Sequence, residues 1–316
     1  MFFPKSVNPF MHLKDFIGNI SASDTPRTKR ARIHQGWWRA FVLQQTPGQH
    51  PIKKETTICN VLPDQTADYR NFITDSIGAL AESTAKTHNE AKNSAGIMEI
   101  NRLKTNLLSS QPLCFNFFGL LALDHELGLK TIKAFFPEIT GFSGVKFEYA
   151  PSPKEHYTND NSAFDVALEV SIGDQIGLIG IECKYTEPFS PQKYQKPNYE
   201  IIHNKSDNFL ASYEELTGSK FNQLYRNQLI AEALLQAGDY QFVKTALFCA
   251  PDDTNAENIG NEFGKMLKSG FTVIDFFEYI TAIQKLDLTP TQRKNTMMLW
   301  ARYMAHELSH AAWQEY

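Results

Sequence analysis

Apolar residues recur with two different periods along this chain, and the change of period marks out its elements. Through residues 117–136 they fall at helical spacing until Pro137 stops the run, whereas Val145, Phe147 and Tyr149 alternate as in a strand. After a polar loop at 151–162 come two longer apolar runs, 164–172 and 175–184, separated by Gly173-Asp174. A two-residue turn there pairs positions whose numbers share one sum, 172 with 175, and on that register Asp165 lies opposite Glu182. Directly opposed residues share a face with Cβ atoms about 4.5–5.5 Å apart. Lys184, two positions on, projects from the same face. The other face reads Phe164, Val166, Leu168 and Val170 against Ile179, Ile181 and Cys183, which predicts a hairpin half buried on a core.

Beyond the hairpin, residues 186–207 form a long polar stretch suited to covering a substrate. A short helix is expected at 209–216 and a longer one at 219–237, ending near Gly238. Residues 241–250 read as a buried strand closed by Pro251, 257–268 as a helix, 271–274 as a short strand and the remainder as helix. On the N-terminal side, residues 1–35 read as loop with short helix, and 36–45, around Trp37, Trp38, Phe41 and Val42, as a helix or strand. Residues 68–86 suit a helix, and 88–105 are helix-compatible but polar. The order helix, three strands, helix, strand makes this an α/β (α+β) chain without internal repeats.

Composition narrows the setting. With 316 residues, 42% hydrophobic and 12% aromatic, the chain can bury a large core. No run approaches the length of a bilayer span and the first residues lack the apolar segment of a signal peptide, so the expected location is cytoplasmic, with no membrane partner. The four cysteines, at 59, 114, 183 and 249, show no Cys-x-x-Cys spacing and read as small core residues, without zinc or disulfides. A net charge of −4 argues against general electrostatic binding of nucleic acid. Local exceptions are Arg27, Lys29, Arg30, Arg32 and Arg39, which suit a phosphate-contacting arm or a solvated segment, and the looser group Lys193, Lys196 and Lys205.

The residue types on the hairpin carry the chemistry. Two opposed acids repel unless a cation sits between them, and carboxylates suit hard ions such as Mg²⁺, with Mn²⁺ as a substitute. Such an ion polarises a phosphoryl group and activates a bound water, while Lys184 would orient or deprotonate that water or stabilise the phosphorane. Asp165 and Glu182 are the candidate metal ligands.

With the helix segment Gln223-Leu-Tyr-Arg226-Asn227-Gln-Leu, these strands resemble the PD-(D/E)xK nuclease superfamily, and more closely the bacterial restriction-endonuclease-like proteins with a Glu-Cys-Lys-Tyr strand. Phe164 stands where the superfamily's name has proline. The likeness covers roughly residues 110–275. It implies a restriction-endonuclease-like αβββαβ core with a mixed sheet flanked by helices, here residues 107–275, between an N-terminal extension (1–106) and a helical C-terminal extension (276–316). It also implies a metal-dependent endonuclease that cuts DNA, double-stranded by default, in restriction or defence, or else an inactive nucleic-acid-binding module of the same fold. Cutting both strands favours a homodimer. Asp165, Glu182, Lys184 and Gln223 would be catalytic, and Asn116, Arg226, Asn227, Lys193 and Lys196 auxiliary or DNA-contacting. Glu126 reads as an ordinary exposed helix residue.

A rival motif lies near the C-terminus, where His306-Glu307-Leu308-Ser309-His310 spells the His-Glu-x-x-His of zinc peptidases. The extended form needs glycine at 313 and histidine at 316, but Trp313 and Tyr316 stand there. An apolar stripe around it suggests a packing helix.

Overall fold

The computed structural model describes residues 12–64, 68–90 and 98–316. Thr25 and Pro26 start a helix α1 (Pro26–Trp37), the Thr25 side chain accepting the Thr28 N–H at 3.2 Å. Residues 12–35 therefore hold more helix than their scattered polar pattern suggests, while 1–11 lie outside the described residues, and a π-helical turn at Trp38–Val42 continues the helix. Helix α2 (Asp75–Glu90) follows; the expected helix across 88–105 appears only as its last turn and a short helix at Ile100–Thr105, and 91–97 lie outside the described residues. The single helix expected at 117–136 is two, α3 (Ser110–Leu123) and α4 (His125–Lys133). Asp124 divides them: its backbone is extended and its carboxylate accepts the Leu127 N–H at 3.0 Å, so it ends one helix and caps the next.

Five strands form one sheet in the order β1 (Gly141–Tyr149), β2 (Phe164–Ile172), β3 (Gln175–Lys184), β4 (Phe242–Cys249), β5 (Phe271–Asp275). The first three pair antiparallel, and β3–β4 and β4–β5 are parallel. The parallel crossovers are made by helices, α5 (Asn222–Ala237) and α6 (Thr254–Gly264). Gly238, at φ +80°, lets α5 end and turn back into β4. Helices α7 (Phe276–Gln284) and α8 (Pro290–Tyr303) follow β5, both opened by capping boxes, Asp275 with Glu278 and Thr289 with Gln292.

The sheet is covered on both faces, the three-layer arrangement that a mixed α/β sheet requires. One face packs Val166, Leu168, Ile179, Ile181 and Phe248 against α2, α3, α7 and α8. That cluster draws residues from Ala31 to Tyr303, so all three stretches of the chain share it. The other face packs Leu247 and Cys249 on Leu224, Tyr225, Leu229 and Phe263, with a smaller group joining Ala167 and Leu178 to Ile230 and Leu234 of α5. The hairpin is consequently not half buried: β3 is the central strand of the sheet, with helices on both sides. Phe164 also departs from the expected core face. Pairing of β2 with β3 stops at Val166↔Ile181, and the Phe164 ring turns onto the α5 side over Gly180, where a Cβ would meet it at 2.3 Å.

The basic residues near the N-terminus are taken up in this architecture. Arg39 is fully buried and donates to the carbonyls of Cys59, Phe16, Ile17 and Gln45; Arg32 pairs with Asp24; Arg27 pairs with Asp252 and Asp253 and donates to the Tyr185 carbonyl. Lys29 and Arg30 lie over the Trp313 ring. Arg27, Arg32 and Arg39 are thus committed to partners within the fold, which does not suit the free phosphate-contacting arm expected of them. Among the described residues, no helix is long and apolar enough to cross a membrane.

Candidate active site

Three adjacent strands bring one carboxylate each to the same end of the sheet. The predicted register holds, with Ile172 opposite Gln175 and Val166 opposite Ile181, so Asp165 and Glu182 follow as the next residues of β2 and β3. On the other side of β2, the pairs Phe147↔Val166 and Tyr149↔Phe164 bracket Glu148 and Asp165. Glu148 was not singled out from the sequence. Its φ of +48° is unusual for a residue with a side chain, and such strained positions cluster at functional sites. The signal was its place on the polar side of the Val145/Phe147/Tyr149 alternation, at the end of a strand neighbouring Asp165.

Helix α5 supplies the opposite wall. Its first turns present Gln223, Arg226 and Asn227 at i, i+3 and i+4, one face toward β3. Gln223 Nε2 donates to Glu182 Oε1 at 2.5 Å and Asn227 Nδ2 to Glu182 Oε2 at 2.8 Å. Lys184 Nζ lies 3.1 Å from Glu182 Oε1 and donates to Gln223 Oε1 at 2.9 Å. Glu182 and Lys184, only 5% and 6% exposed, are thus held by one closed network and not solvated at a strand end. Asp165 Oδ2 accepts the Cys183 N–H at 2.7 Å, and Glu148 Oε1 accepts from Gln111 Nε2 at 3.0 Å. Arg226 stacks over Tyr194 at 4.3 Å and approaches Asp160, itself fixed by Ser162, Thr158 and Tyr199. Glu148, Asp165, Glu182, Asn161, Arg226 and Asn227 line a cleft of about 190 Å³, together with Gln223, Ser162 and Ala163.

The segment after β3 lies over the lysine. Phe189 sits 4.9 Å from Lys184 Nζ, the Ser190 N–H donates to Gln223 Oε1, and Tyr194 exchanges backbone bonds with the Asn222 side chain. Lys193 and Lys196 are exposed on this segment and join no part of the network. Asn116 is elsewhere: fully buried on α3, it bonds the Ile73 N–H, the Asn71 carbonyl and the Tyr303 hydroxyl, holding helices together. Glu126 is an exposed i,i+4 partner of Lys130.

The electrostatics describe a site with too much negative charge for its solvation. Burial, reinforced by Glu182 and Glu148, pushes the Asp165 carboxyl well above the usual range. Burial, with Glu182 adding, raises Glu148 to about 7. For Lys184, burial opposes the charge, but Glu182 and Asp165 outweigh it and raise its pKa, so it stands as an ammonium. Carboxylates at the cleft surface suit a hard divalent ion by donor type, although the oxygens of Glu148, Asp165 and Glu182 are not all drawn within 4.8 Å of one another in this metal-free fold.

A pH dependence follows for the metal-free protein. Glu148 titrates near 4.5 unfolded and about 7 folded, so its stabilising contribution is complete below the unfolded value and is lost as pH rises through the folded one. Glu148→Gln should remove that loss and be the more stable protein by about 1–3 kcal/mol near pH 8, after allowance for partial solvent screening. Urea midpoints in chelator between about pH 5 and about pH 8 measure it; parallel curves for the two proteins would show that Glu148 is not the responsible group.

The His-Glu-x-x-His motif does not make a site. His306–Ser309 form a 3₁₀ turn after α8 ends, and a separate short helix begins at His310. The His306 ring lies tilted against that of His34, whereas His310 is exposed and bonds Gln314. Neither belongs to a cluster of three candidate ligands among the described residues. In comparison with known families, the model of the PD-(D/E)XK nuclease superfamily aligns with residues 22–305. No curated protein and no solved structure matches the chain.

Proposed function

Since the chain belongs to the PD-(D/E)XK nuclease superfamily, we propose that it is a Mg²⁺-dependent endonuclease that hydrolyses phosphodiester bonds of DNA. The observation that supports this reading is that Glu148, Asp165 and Glu182 line one cleft at one sheet end, with Lys184 paired to Glu182 beside it. The first two expected ligands, Asp165 and Glu182, would hold the ion with Glu148 beside them. When bound, the ion supplies polarisation of the phosphoryl group and a water of lowered pKa. Lys184, kept protonated, faces the carboxylates where the scissile phosphate must lie and stabilises the charge that develops in the transition state. Gln223 sets the distance between Lys184 and Glu182 by bonding both, and Asn227 fixes the second oxygen of Glu182, so the carboxylate is oriented before substrate arrives. Arg226, flattened on Tyr194 at the cleft wall, offers a guanidinium to a neighbouring phosphate.

The same reading places the protein in the cytoplasm, in restriction or defence, acting on double-stranded DNA as a homodimer. Purified protein incubated with supercoiled plasmid, single-stranded DNA and RNA, in Mg²⁺, Mn²⁺ or chelator, tests it. Nicked and linear plasmid in the metal lanes is the expected result. Cleavage of RNA alone would move the substrate, and full activity in chelator or none under any condition would remove the reading, leaving the nucleic-acid-binding alternative.

A further inference from the structure

Behind Asp165 lie two thiols that phosphodiester hydrolysis does not use. Cys183 sits between Glu182 and Lys184 in sequence but belongs to the main core on the other face of the sheet, where Cys114 of α3 joins the same cluster. One donor atom each from Cys114, Cys183 and Asp165 lies within 4.8 Å of the other two, and among the described residues this is the only such group of three candidate ligands. The thiols are 3% and 2% exposed, while Asp165 is half-buried and is the member of the cluster that lines the cleft. One turn before Cys114, Gln111 holds Glu148, which puts a further carboxylate on the same side.

Two sulfurs and a carboxylate suit a different class of ion from the cleft carboxylates alone. Thiolates select Zn²⁺ and its thiophilic analogue Cd²⁺, whereas Mg²⁺ takes oxygen. We propose that Cys114, Cys183 and Asp165 form a second site for a thiophilic divalent ion, which inhibits the protein by drawing Asp165 away from the catalytic face. Binding releases the two thiol protons to solvent and involves no oxidant. The binding half stands on the geometry; the inhibitory half rests on the nuclease reading.

Reduced, metal-free full-length protein titrated with Cd²⁺ in a large excess of Mg²⁺ tests both halves. Stoichiometric binding with ultraviolet thiolate-to-metal absorbance is expected in the wild type. It should weaken by more than about tenfold in Cys114→Ser and in Cys183→Ala, because loss of a direct ligand costs at least as much as loss of a supporting one. Cys249→Ser, at a buried free cysteine outside the cluster, should bind like the wild type. Absent thiolate absorbance in the wild type, or equal binding in Cys114→Ser, would overturn the site. If the cluster variants do not fold, the anomalous peak of a Cd²⁺-soaked wild-type crystal decides, since a peak away from Cys114 and Cys183 overturns it equally. Cd²⁺ inhibition of cleavage relieved by more than about tenfold in Cys114→Ser is expected; binding without inhibition would overturn the regulatory half. A wild type that binds Cd²⁺ through thiolates yet never cleaves in Mg²⁺ would sink the nuclease reading while leaving the site intact.

Discussion

Replacing Lys184 with methionine is expected to slow cleavage by about 10²–10⁴-fold, with nucleic-acid affinity changed far less. Methionine preserves the unbranched stem under Phe189 and removes only the ammonium that lies between Glu182 and Gln223. Two consequences separate this from a general loss of structure. The variant should be less stable, because buried Glu182 loses the ammonium it is paired with, and breaking a buried pair from one side costs about 3–5 kcal/mol at the upper end. It should still be folded at the assay temperature by circular dichroism, with the rate loss visible under single-turnover conditions. A folded variant that cuts as fast as the wild type would remove Lys184 from the mechanism.

Asp165→Asn is expected to abolish cleavage as fully while moving stability the other way. The Asp165 carboxyl is raised by burial and by its neighbours Glu182 and Glu148, so ionising it in the metal-free fold is unfavourable. An amide of the same shape still offers an oxygen to the Cys183 N–H and carries no charge to repel the other acids. Thermal unfolding in chelator near neutral pH should therefore show a midpoint above that of the wild type, by roughly 1–2 °C for each kcal/mol gained in a chain of this size. The loss of a metal ligand should appear as weakened Mn²⁺ binding by electron paramagnetic resonance. Lower stability together with unchanged Mn²⁺ affinity would mean that Asp165 is a structural hydrogen-bond acceptor and nothing more.

The hairpin was legible because its constraints are local. A two-residue turn fixes every pair along two strands, and the Gly173-Asp174 turn carried the register as far as Val166↔Ile181. Helical spacing likewise put Gln223, Arg226 and Asn227 on one face before any partner was known. What the sequence hid depends on contacts distant in the chain. Glu148 joins the site through a positive φ and through Gln111, and nothing within residues 144–149 announces either. Asn116 looked available, but its partners come from residues 71, 73 and 303. Arg39 looked like part of a basic patch, yet four backbone carbonyls from three separate stretches enclose it. Phe164 broke the two-residue alternation because Gly180, on the neighbouring strand, left room for its ring. The His-Glu-x-x-His motif failed for the converse reason: the letters are local, but α8 ends at Tyr303 and the helix the motif needs is not there.

The claim that one sheet end holds a metal-dependent phosphodiesterase is tested most directly by plasmid cleavage with wild type and Lys184→Met side by side, in Mg²⁺ and in chelator. Nicking and linearisation by the wild type in Mg²⁺, lost in chelator and lost in the variant, is the expected result. Cleavage that persists in chelator, or that survives in folded Lys184→Met at the wild-type rate, would contradict it.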